Sequence, residues 1–199
     1  VIAGEWKIFD QTPYLGTDVY GKTLGLIGLG LIGTAVAKRA VGFDMEILYY
    51  SRTRKINEEE KYGLKWTASI DDLLGSSDYV SVHVPLGPDT QNFIGIAELN
   101  MMKKGAFLIN TSRGGTVDPE ALRTALDRGV IAGAALDVTS PEPIPHDDPL
   151  VHMENVIVTP HIASASAATL RNMGLMAADN IIARLKGNEM PACLNPEVL

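Results

Sequence analysis

The chain has 199 residues, 46% of them hydrophobic and 21% charged, which is the composition of an ordinary globular protein. Its 24 acidic and 17 basic residues give a formal net charge of −7, and this acidic excess argues against a general nucleic-acid or membrane-surface binder. Cys193 is the single cysteine, so the sequence excludes a disulfide framework and a cysteine-rich zinc site.

Short apolar runs predict the strands of the fold. They are nearly continuous in apolar residues, which is typical of strands that are covered on both faces of a parallel sheet. In chain order they are Thr23–Ile27, Ile47–Tyr50, Asp78–Val84, Ala106–Asn110, Ala132–Val138 and Asn155–Val158.

Helices are predicted between and after these strands. In chain order they are Leu31–Val41, a helix that Ser69 caps, Pro119–Arg128, and Ser164–Leu185. Asp118 and Gly129 give the third helix an N-cap and a terminating glycine. Because strands alternate with helices, the sequence predicts an α/β fold with a doubly wound parallel sheet of the Rossmann type.

The segment Pro141–Pro149 interrupts this pattern. It contains four prolines and is predicted to be a stiff surface loop. Residues 1–20 and 191–199 lack a strand and helix unit, so they are expected to be a lead-in and an extended tail. The sequence therefore predicts one α/β domain with appendages at both ends.

A glycine-rich turn follows the first predicted strand and opens the first predicted helix. Gly28, Gly30 and Gly33 form the G-x-G-x-x-G pattern, with Leu31 and Ile32 between the last two glycines. In this context the pattern predicts a dinucleotide site, because the helix N-terminus and close backbone approach favour a pyrophosphate. The alternative is a glycine turn that binds nothing.

The end of the second predicted strand indicates which dinucleotide is preferred. NAD-binding proteins place an acidic residue there for the ribose hydroxyls, whereas this chain reads Ser51, Arg52, Thr53 and Arg54. Hydroxyl and guanidinium groups suit a 2′-phosphate, which an acid would repel. We therefore predict NADP(H) as the preferred cofactor and NAD(H) as the alternative. The alternative is a solvated basic stretch that balances the acidic run at 58–60.

Three polar residues follow later strands, at the sheet edge where open α/β folds bind ligands. Arg113, Glu142 and His161 could together reduce a 2-keto acid. The guanidinium would bind the carboxylate, the imidazole would give a proton to the new alkoxide, and the carboxylate would hold the imidazole. Separately, each could be a surface ion pair, a structural histidine or a solvated loop residue.

Sequence phrases throughout the chain resemble the NAD(P)-binding domain of the D-isomer-specific 2-hydroxyacid dehydrogenases. The resemblance covers roughly residues 4–195. The matching phrases are Val19–Thr23, the glycine turn, His83–Leu86, Met102–Gly105, Ile109–Gly114, Gly133–Val138 and Thr159–Ile162. Within the family, the glyoxylate/hydroxypyruvate reductases are most similar, through the basic segment and through 136–143 and 171–180.

The resemblance implies roles for individual residues. Arg113, Glu142 and His161 correspond to the family's catalytic set, and Arg113 and Ala163 would contact the substrate. Together with the glycine turn and the 51–54 segment, the cofactor site would include Val84, Pro85, Thr111, Ser112, Asp137, His161 and Ser164. The sequence departs from the family at Leu31, where many members have Arg, and at Ala163, where Gly is usual. The substrate preference is therefore less closely specified than the reaction.

These implications define the expected function. We expect NADPH-dependent reduction of glyoxylate or hydroxypyruvate by a cytoplasmic homodimer that uses no metal. Residues 1–20 would lead into a dinucleotide-binding domain at 21–187, and residues 188–199 would return to a substrate domain whose N-terminal part is absent, so the isolated chain would catalyse weakly or not at all. The alternatives are a dinucleotide-sensing corepressor and another 2-hydroxyacid or 3-phosphoglycerate dehydrogenase.

Overall fold

The computed structural model describes residues 2–10, 12 and 15–198. The chain forms two compact units, residues 1–158 and residues 159–199. The lead-in and the tail expected from the sequence include residues 1, 11, 13, 14 and 199, which lie outside the described residues.

A parallel sheet of seven strands, counted over the described residues, lies in the first unit. The strands are β1 (Thr23–Ile27), β2 (Glu46–Tyr50), β3 (Lys65–Trp66), β4 (Tyr79–Val82), β5 (Phe107–Asn110), β6 (Gly133–Leu136) and β7 (Val156–Val158). Their spatial order is β3-β2-β1-β4-β5-β6-β7. The chain thus adds strands on one side of β1 and then on the other, which confirms the doubly wound sheet.

Helices connect the strands and follow the last one. They are α1 (Leu31–Ala40), α2 (Ile56–Tyr62), α3 (Ile70–Ser76), α4 (Ile96–Met101), α5 (Pro119–Asp127), α6 (Pro149–His152) and α7 (Ala167–Leu185). Short 3-10 helices lie at Val41–Phe43, Gly114–Thr116 and Pro196–Val198. None of the described helices is long and apolar enough to cross a membrane.

Apolar side chains pack in two buried clusters that follow the alternation of the strands. Leu24, Leu26 and Tyr49 belong to a smaller cluster with residues of α1. Ile27 and Leu48 point to the other side, into a larger cluster with residues of α3, α4 and α5. Both faces of the sheet are therefore covered, which explains the nearly continuous apolar runs.

The two predicted N-caps are confirmed, whereas α5 ends at Asp127 with Arg128, and not Gly129, as its C-cap. The Ser69 hydroxyl accepts hydrogen bonds from the amides of Asp71 and Asp72 at the start of α3. The Asp118 carboxylate accepts bonds from the amides of Glu120 and Ala121 at the start of α5. These side chains satisfy amides that have no partner within the helix, so each helix begins where its cap predicts.

Several element boundaries were predicted wrongly. The strand predicted at Asp78–Val84 is shorter, because the sheet ladder ends at Val82. The last helix begins at Ala167 and not at Ser164, because the Ser166 hydroxyl caps it by accepting a bond from the Thr169 amide. The tail is not wholly extended, since it contains the 3-10 helix at 196–198.

Four elements were missed by the sequence prediction. The strand β3 has only two residues, and α2 contains no buried residue, so neither shows an apolar pattern. The helix α4 begins after a glycine, Gly95, whose amide donates to the Glu98 carboxylate at 2.9 Å. The single turn α6 starts at Pro149, the last residue of the predicted loop.

Candidate functional site

The carboxyl ends of the central strands lie in one row. In the pairing register, Ile27 is opposite both Tyr50 and Val82, Val82 is opposite Asn110, and Asn110 is opposite Leu136. The loops that follow these five residues therefore leave the sheet at the same edge. The glycine turn, the 51–54 segment and the loops that carry Arg113 and Glu142 all begin there.

Two glycines of the turn are required by the fold itself. Gly28 has a φ of 98°, in the left-handed region, and its Cβ would lie 3.0 Å from the backbone of His83. A Cβ at Gly33 would lie 2.3 Å from the Gly28 carbonyl oxygen. The turn is joined to β2 because the Gly28 amide donates to the Tyr50 carbonyl at 2.8 Å. The turn therefore lies directly beside the start of the 51–54 segment.

Gly30 differs from the other two glycines. Its φ is −85°, which any residue adopts, and no described atom lies within 4 Å of the position that its Cβ would take. It also precedes α1, which has no side-chain cap among the described residues and no acidic residue in its first turn. A glycine that the fold does not need, beside uncapped helix amides, leaves the backbone open to a phosphate group. This arrangement fits the pyrophosphate of a dinucleotide.

The side chains that follow Gly30 face outward. Leu31 and Ile32 are 94% and 64% exposed, although both are large apolar residues. Neither contributes to the buried clusters, so their place in the cofactor site stays a prediction from the sequence.

The 51–54 segment after β2 contains two arginines with different surroundings. Arg54 forms an ion pair with Glu59, in which its Nη2 donates to Oε2 at 2.7 Å and its Nε to Oε1 at 2.9 Å. Arg52 is exposed and forms no ion pair or side-chain hydrogen bond with any described residue. Ser51 donates to the Thr53 carbonyl at 2.7 Å, so this segment is a structured turn.

A hydrogen-bond network that joins Tyr49, Glu59 and Lys55 lies beside this segment and was not predicted from the sequence. The Tyr49 side chain is fully buried, and its hydroxyl donates to the Glu59 carboxylate at 2.6 Å and accepts from the Lys55 amide at 2.7 Å. Burial, and then the bond to Glu59, raise the pKa of Tyr49 to about 12. The bonds from Arg54 and then from Tyr49 lower the pKa of Glu59 to about 2. Tyr49 is therefore neutral and Glu59 charged over the whole physiological range.

The loop after β4 packs against the glycine turn. A Cβ at Gly28 would lie 3.0 Å from a methyl group of Val84, which places this predicted cofactor residue beside the turn. The Thr90 hydroxyl donates to the Pro85 carbonyl at 2.6 Å and holds the loop. His83 bonds to the Ser81 hydroxyl at 2.9 Å, and burial lowers the pKa of His83 to about 4. His83 is thus a packed neutral imidazole.

Asn110 organises the loop that carries Arg113. The Asn110 side chain is 1% exposed. Its Nδ2 donates to the Arg113 carbonyl at 3.0 Å, and its Oδ1 accepts from the Ser112 amide at 3.0 Å and the Ser112 hydroxyl at 2.8 Å. The Thr116 hydroxyl donates to the same Arg113 carbonyl at 2.7 Å. The backbone of Arg113 is therefore fixed from inside the protein, while its side chain is exposed.

The loop that carries Glu142 touches the loop that carries Arg113. A Cβ at Gly114 would lie 1.8 Å from the Thr139 carbonyl oxygen, so only glycine permits this contact. Asp137, at the start of the Glu142 loop, is buried, and its amide donates to the Asn110 carbonyl at 2.9 Å. Glu142 is exposed and lies between two cis peptide bonds, each to a proline. The structure therefore brings these two predicted loops together at the sheet edge.

His161, Ala163 and Ser164 belong to the second unit. His161 has a φ of 55°, which is uncommon for a residue other than glycine. Backbone conformations of this kind store strain and are concentrated at functional sites. The second unit also contains α7, and the Asn180 side chain binds the tail to this helix by accepting from the Ala192 amide at 2.9 Å.

The described ranges contain no group of three or more His, Cys, Asp or Glu side chains that could hold a metal ion. The sheet edge offers backbone amides at a helix start, the cationic side chains of Arg52 and Arg113, and the carboxylate of Glu142.

Comparison with known proteins identifies a family and several relatives. Residues 1–163 match the family described as D-isomer specific 2-hydroxyacid dehydrogenase, NAD binding domain. A glyoxylate reductase of Korarchaeum cryptofilum is 49% identical over 197 residues, which are 98% of this chain and 59% of the relative. A glyoxylate/hydroxypyruvate reductase B of Pectobacterium carotovorum is 44% identical over 200 residues, which are 100% of this chain and 62% of the relative.

A solved structure supports the same assignment. The structure of a D-lactate dehydrogenase with NAD+ from Lactobacillus jensenii superposes with a TM-score of 0.86 at 35% identity, over 97% of this chain and 61% of that chain. This chain spans about 60% of the length of the curated relatives it matches.

Proposed function

The chain belongs to the D-isomer specific 2-hydroxyacid dehydrogenase family, and from this premise we propose that it is the dinucleotide-binding part of an NADPH-dependent reductase of glyoxylate and hydroxypyruvate. The observation that carries the proposal is the junction of the glycine turn with β2. The Gly28 amide binds the last residue of that strand, Tyr50, at 2.8 Å. The residues that follow, 51–55, contain no acid, and they offer the guanidinium of Arg52.

This junction supports a phosphate-bearing cofactor in two places. The open backbone at Gly30 and the first amides of α1 would hold the pyrophosphate. Arg52, without an ionic partner among the described residues, would hold the 2′-phosphate, because a guanidinium forms charge-assisted bonds with phosphate oxygens. A carboxylate at the same place would repel that phosphate. We therefore propose NADPH as the preferred cofactor and NADH as a weaker substitute.

When bound, the reduced nicotinamide supplies the hydride. We assign the remaining roles to side chains of this chain. Arg113 binds the carboxylate of the 2-keto acid and polarises its carbonyl group, with its backbone held by Asn110. His161 donates the proton that the new alkoxide requires. Glu142 takes the supporting role that the sequence predicts for it.

The test is turnover by the full-length protein. With NADPH and either glyoxylate or hydroxypyruvate, the absorbance band of NADPH should disappear with time, and it should disappear more slowly with NADH. His161→Gln should abolish turnover while NADPH binding stays within about twofold, because the ring donates a proton and does not carry the main cofactor contacts. Tight NADPH binding without turnover of either acid would overturn the reductase proposal and favour a dinucleotide sensor.

We also propose a homodimer in the cytoplasm. The lone cysteine fits a reducing compartment, and closed two-fold dimers are the commonest soluble assemblies. Light scattering of the full-length protein should give twice the mass of one chain, and cell fractionation should recover the protein in the cytosol. A monomer in solution, or recovery in a membrane or exported fraction, would overturn the corresponding proposal.

A further inference from the structure

The two arginines of the 51–54 segment differ in their freedom to bind a ligand. Arg54 donates from both Nε and Nη2 to the Glu59 carboxylate, at 2.9 and 2.7 Å, so its charge is largely balanced. Its guanidinium carbon also lies 5.6 Å from the centre of the Trp66 ring, within the range of a cation–π contact. Arg52 has neither kind of partner among the described residues. The two cations therefore cannot contribute equally to anion binding.

Glu59 is itself held by a hydrogen bond from Tyr49. Its side chain is 12% exposed, and its carboxylate accepts a short hydrogen bond of 2.6 Å from the buried Tyr49 hydroxyl. The same hydroxyl accepts a bond from the Lys55 amide at 2.7 Å. Tyr49 thus binds both the carboxylate that holds Arg54 and the backbone at the end of the segment. We call Tyr49, Glu59 and Arg54 the loop clamp.

The segment itself is closed at its other end. Ser51 donates to the Thr53 carbonyl at 2.7 Å, and the Trp66 indole donates to the Ser51 carbonyl at 3.4 Å. Bonds at both ends hold the turn, and Arg52 lies at its exposed centre. Holding a turn in its binding conformation raises affinity because less conformational entropy is lost when the ligand binds.

We propose that the loop clamp is a positioning network for cofactor selection, and that Arg52 alone supplies the guanidinium that binds the 2′-phosphate. This inference rests on the proposed preference for NADPH and deepens it. Arg54 becomes a positioning residue that acts through the shape of the turn. Tyr49 and Glu59, which do not reach the cofactor in this account, become determinants of specificity.

The hypothesis that charge alone selects the cofactor makes predictions opposite to those of the loop clamp. If Arg54 bound the phosphate directly and Glu59 merely opposed it, Glu59→Gln would remove a repulsive charge and tighten NADPH binding. The loop clamp predicts weaker NADPH binding in Glu59→Gln, because the amide nitrogen cannot accept the bond from Arg54. Tyr49→Phe removes no charge at all, so the charge hypothesis predicts no change in the preference for NADPH over NADH. The loop clamp predicts that this preference is reduced.

The experiment measures dissociation constants of the full-length protein for NADPH and NADH by fluorescence titration. The readout is the ratio of the NADH constant to the NADPH constant, because a merely structural defect would weaken both cofactors together. Arg52→Ala should lower this ratio about tenfold or more, as expected for a lost charge-assisted bond. Tyr49→Phe and Glu59→Gln should each lower it roughly threefold to tenfold, as expected for a lost hydrogen bond.

Tyr79→Phe is the matched control. Tyr79 also donates a hydrogen bond, to the Asp18 carbonyl at 3.0 Å, and lies on β4, outside the 51–54 segment. Its removal should leave the ratio unchanged. Thermal denaturation of each variant monitors folding, and Glu59→Gln carries the test if Tyr49→Phe does not fold.

The outcomes separate this inference from the proposed function. A wild-type ratio near one overturns the NADPH preference, and with it the phosphate role of Arg52. A wild-type ratio well above one that Arg52→Ala abolishes, but that Tyr49→Phe and Glu59→Gln leave unchanged or raise, overturns the loop clamp alone. An Arg54→Ala ratio as low as that of Arg52→Ala, with an unchanged ratio in Tyr49→Phe, would make Arg54 a direct ligand and would also overturn it.

Discussion

The glycine turn allows one substitution to be made at two positions with opposite expected results. At Gly33, a Cβ would lie 2.3 Å from the Gly28 carbonyl oxygen, about 1 Å closer than an ordinary contact. The Cβ is rigidly attached to the backbone of α1 and the oxygen belongs to backbone, so Gly33→Ala must move the start of α1 away from Gly28. Overpacking of this kind costs about 1–3 kcal/mol, which corresponds to a fall in Tm of roughly 2–12 °C for a chain of this size.

At Gly30 the same methyl group meets nothing. No described atom lies within 4 Å of the Cβ position, and the φ of −85° suits alanine. The cost in stability is at most about 1 kcal/mol, from replacing glycine at a helix N-cap. However, the methyl group would occupy the space through which a pyrophosphate reaches the helix amides. Losing one such contact should weaken dinucleotide binding about tenfold or more.

The assay combines thermal denaturation with fluorescence titration of NADPH on the full-length protein. We expect Gly33→Ala to lower Tm markedly and Gly30→Ala to leave Tm nearly unchanged while weakening NADPH binding. Unchanged NADPH affinity in Gly30→Ala would show that the pyrophosphate does not approach the helix amides at Gly30. An unchanged Tm in Gly33→Ala would show that the turn accommodates the Cβ without a loss of stability, contrary to the 2.3 Å contact.

Two further predictions concern residues beside the site. His83 has a pKa of about 4 in the folded protein, below the ordinary 6.5, so the unfolded chain takes up its proton first and stability falls as pH drops through this interval. Between pH 7.5 and 5 this linkage lowers the free energy of unfolding by about 2 kcal/mol. Urea unfolding at both pH values should show a smaller loss of stability in His83→Gln than in the wild type. An equal loss in the two proteins would contradict the low pKa of His83. Asn110→Asp places a carboxylate where an amide donates to the Arg113 carbonyl at 3.0 Å, and misplacing Arg113 should raise KM for the keto acid roughly tenfold in steady-state kinetics while NADPH affinity is kept. Weaker NADPH binding with an unchanged KM would contradict this role of Asn110.

The strands that read as apolar runs were predictable from the sequence, whereas α2 and β3, which bury no residue, were missed. The strands at 23–27 and 107–110 read as continuous apolar runs because helices cover both faces of the sheet. The helix α2 buries none of its residues, and β3 has only two, so tertiary contacts rather than a local pattern determine them. The two N-caps were predicted well, because a hydroxyl or carboxylate binds amides only two or three residues away.

The candidate site shows the same division. The glycine turn and Arg52 were evident from short motifs, because their chemistry depends on neighbouring residues. The bond from Tyr49 to Glu59 joins residues ten positions apart and exists only because α2 folds back over the end of β2. Asn110 was visible in the sequence, but its role depends on its burial and on the carbonyl of Arg113. Networks of this kind follow from the fold, and the sequence alone could not predict them.

The decisive measurement compares NADPH and NADH binding to the wild-type full-length protein at one ionic strength. NADPH should bind about tenfold or more tightly than NADH, since the guanidinium of Arg52 and the absence of an acid at 51–55 favour the 2′-phosphate. This advantage should shrink as salt is added, because an exposed ionic contact is screened. Equal binding of the two cofactors, or tighter binding of NADH, would rule out a 2′-phosphate site at Arg52.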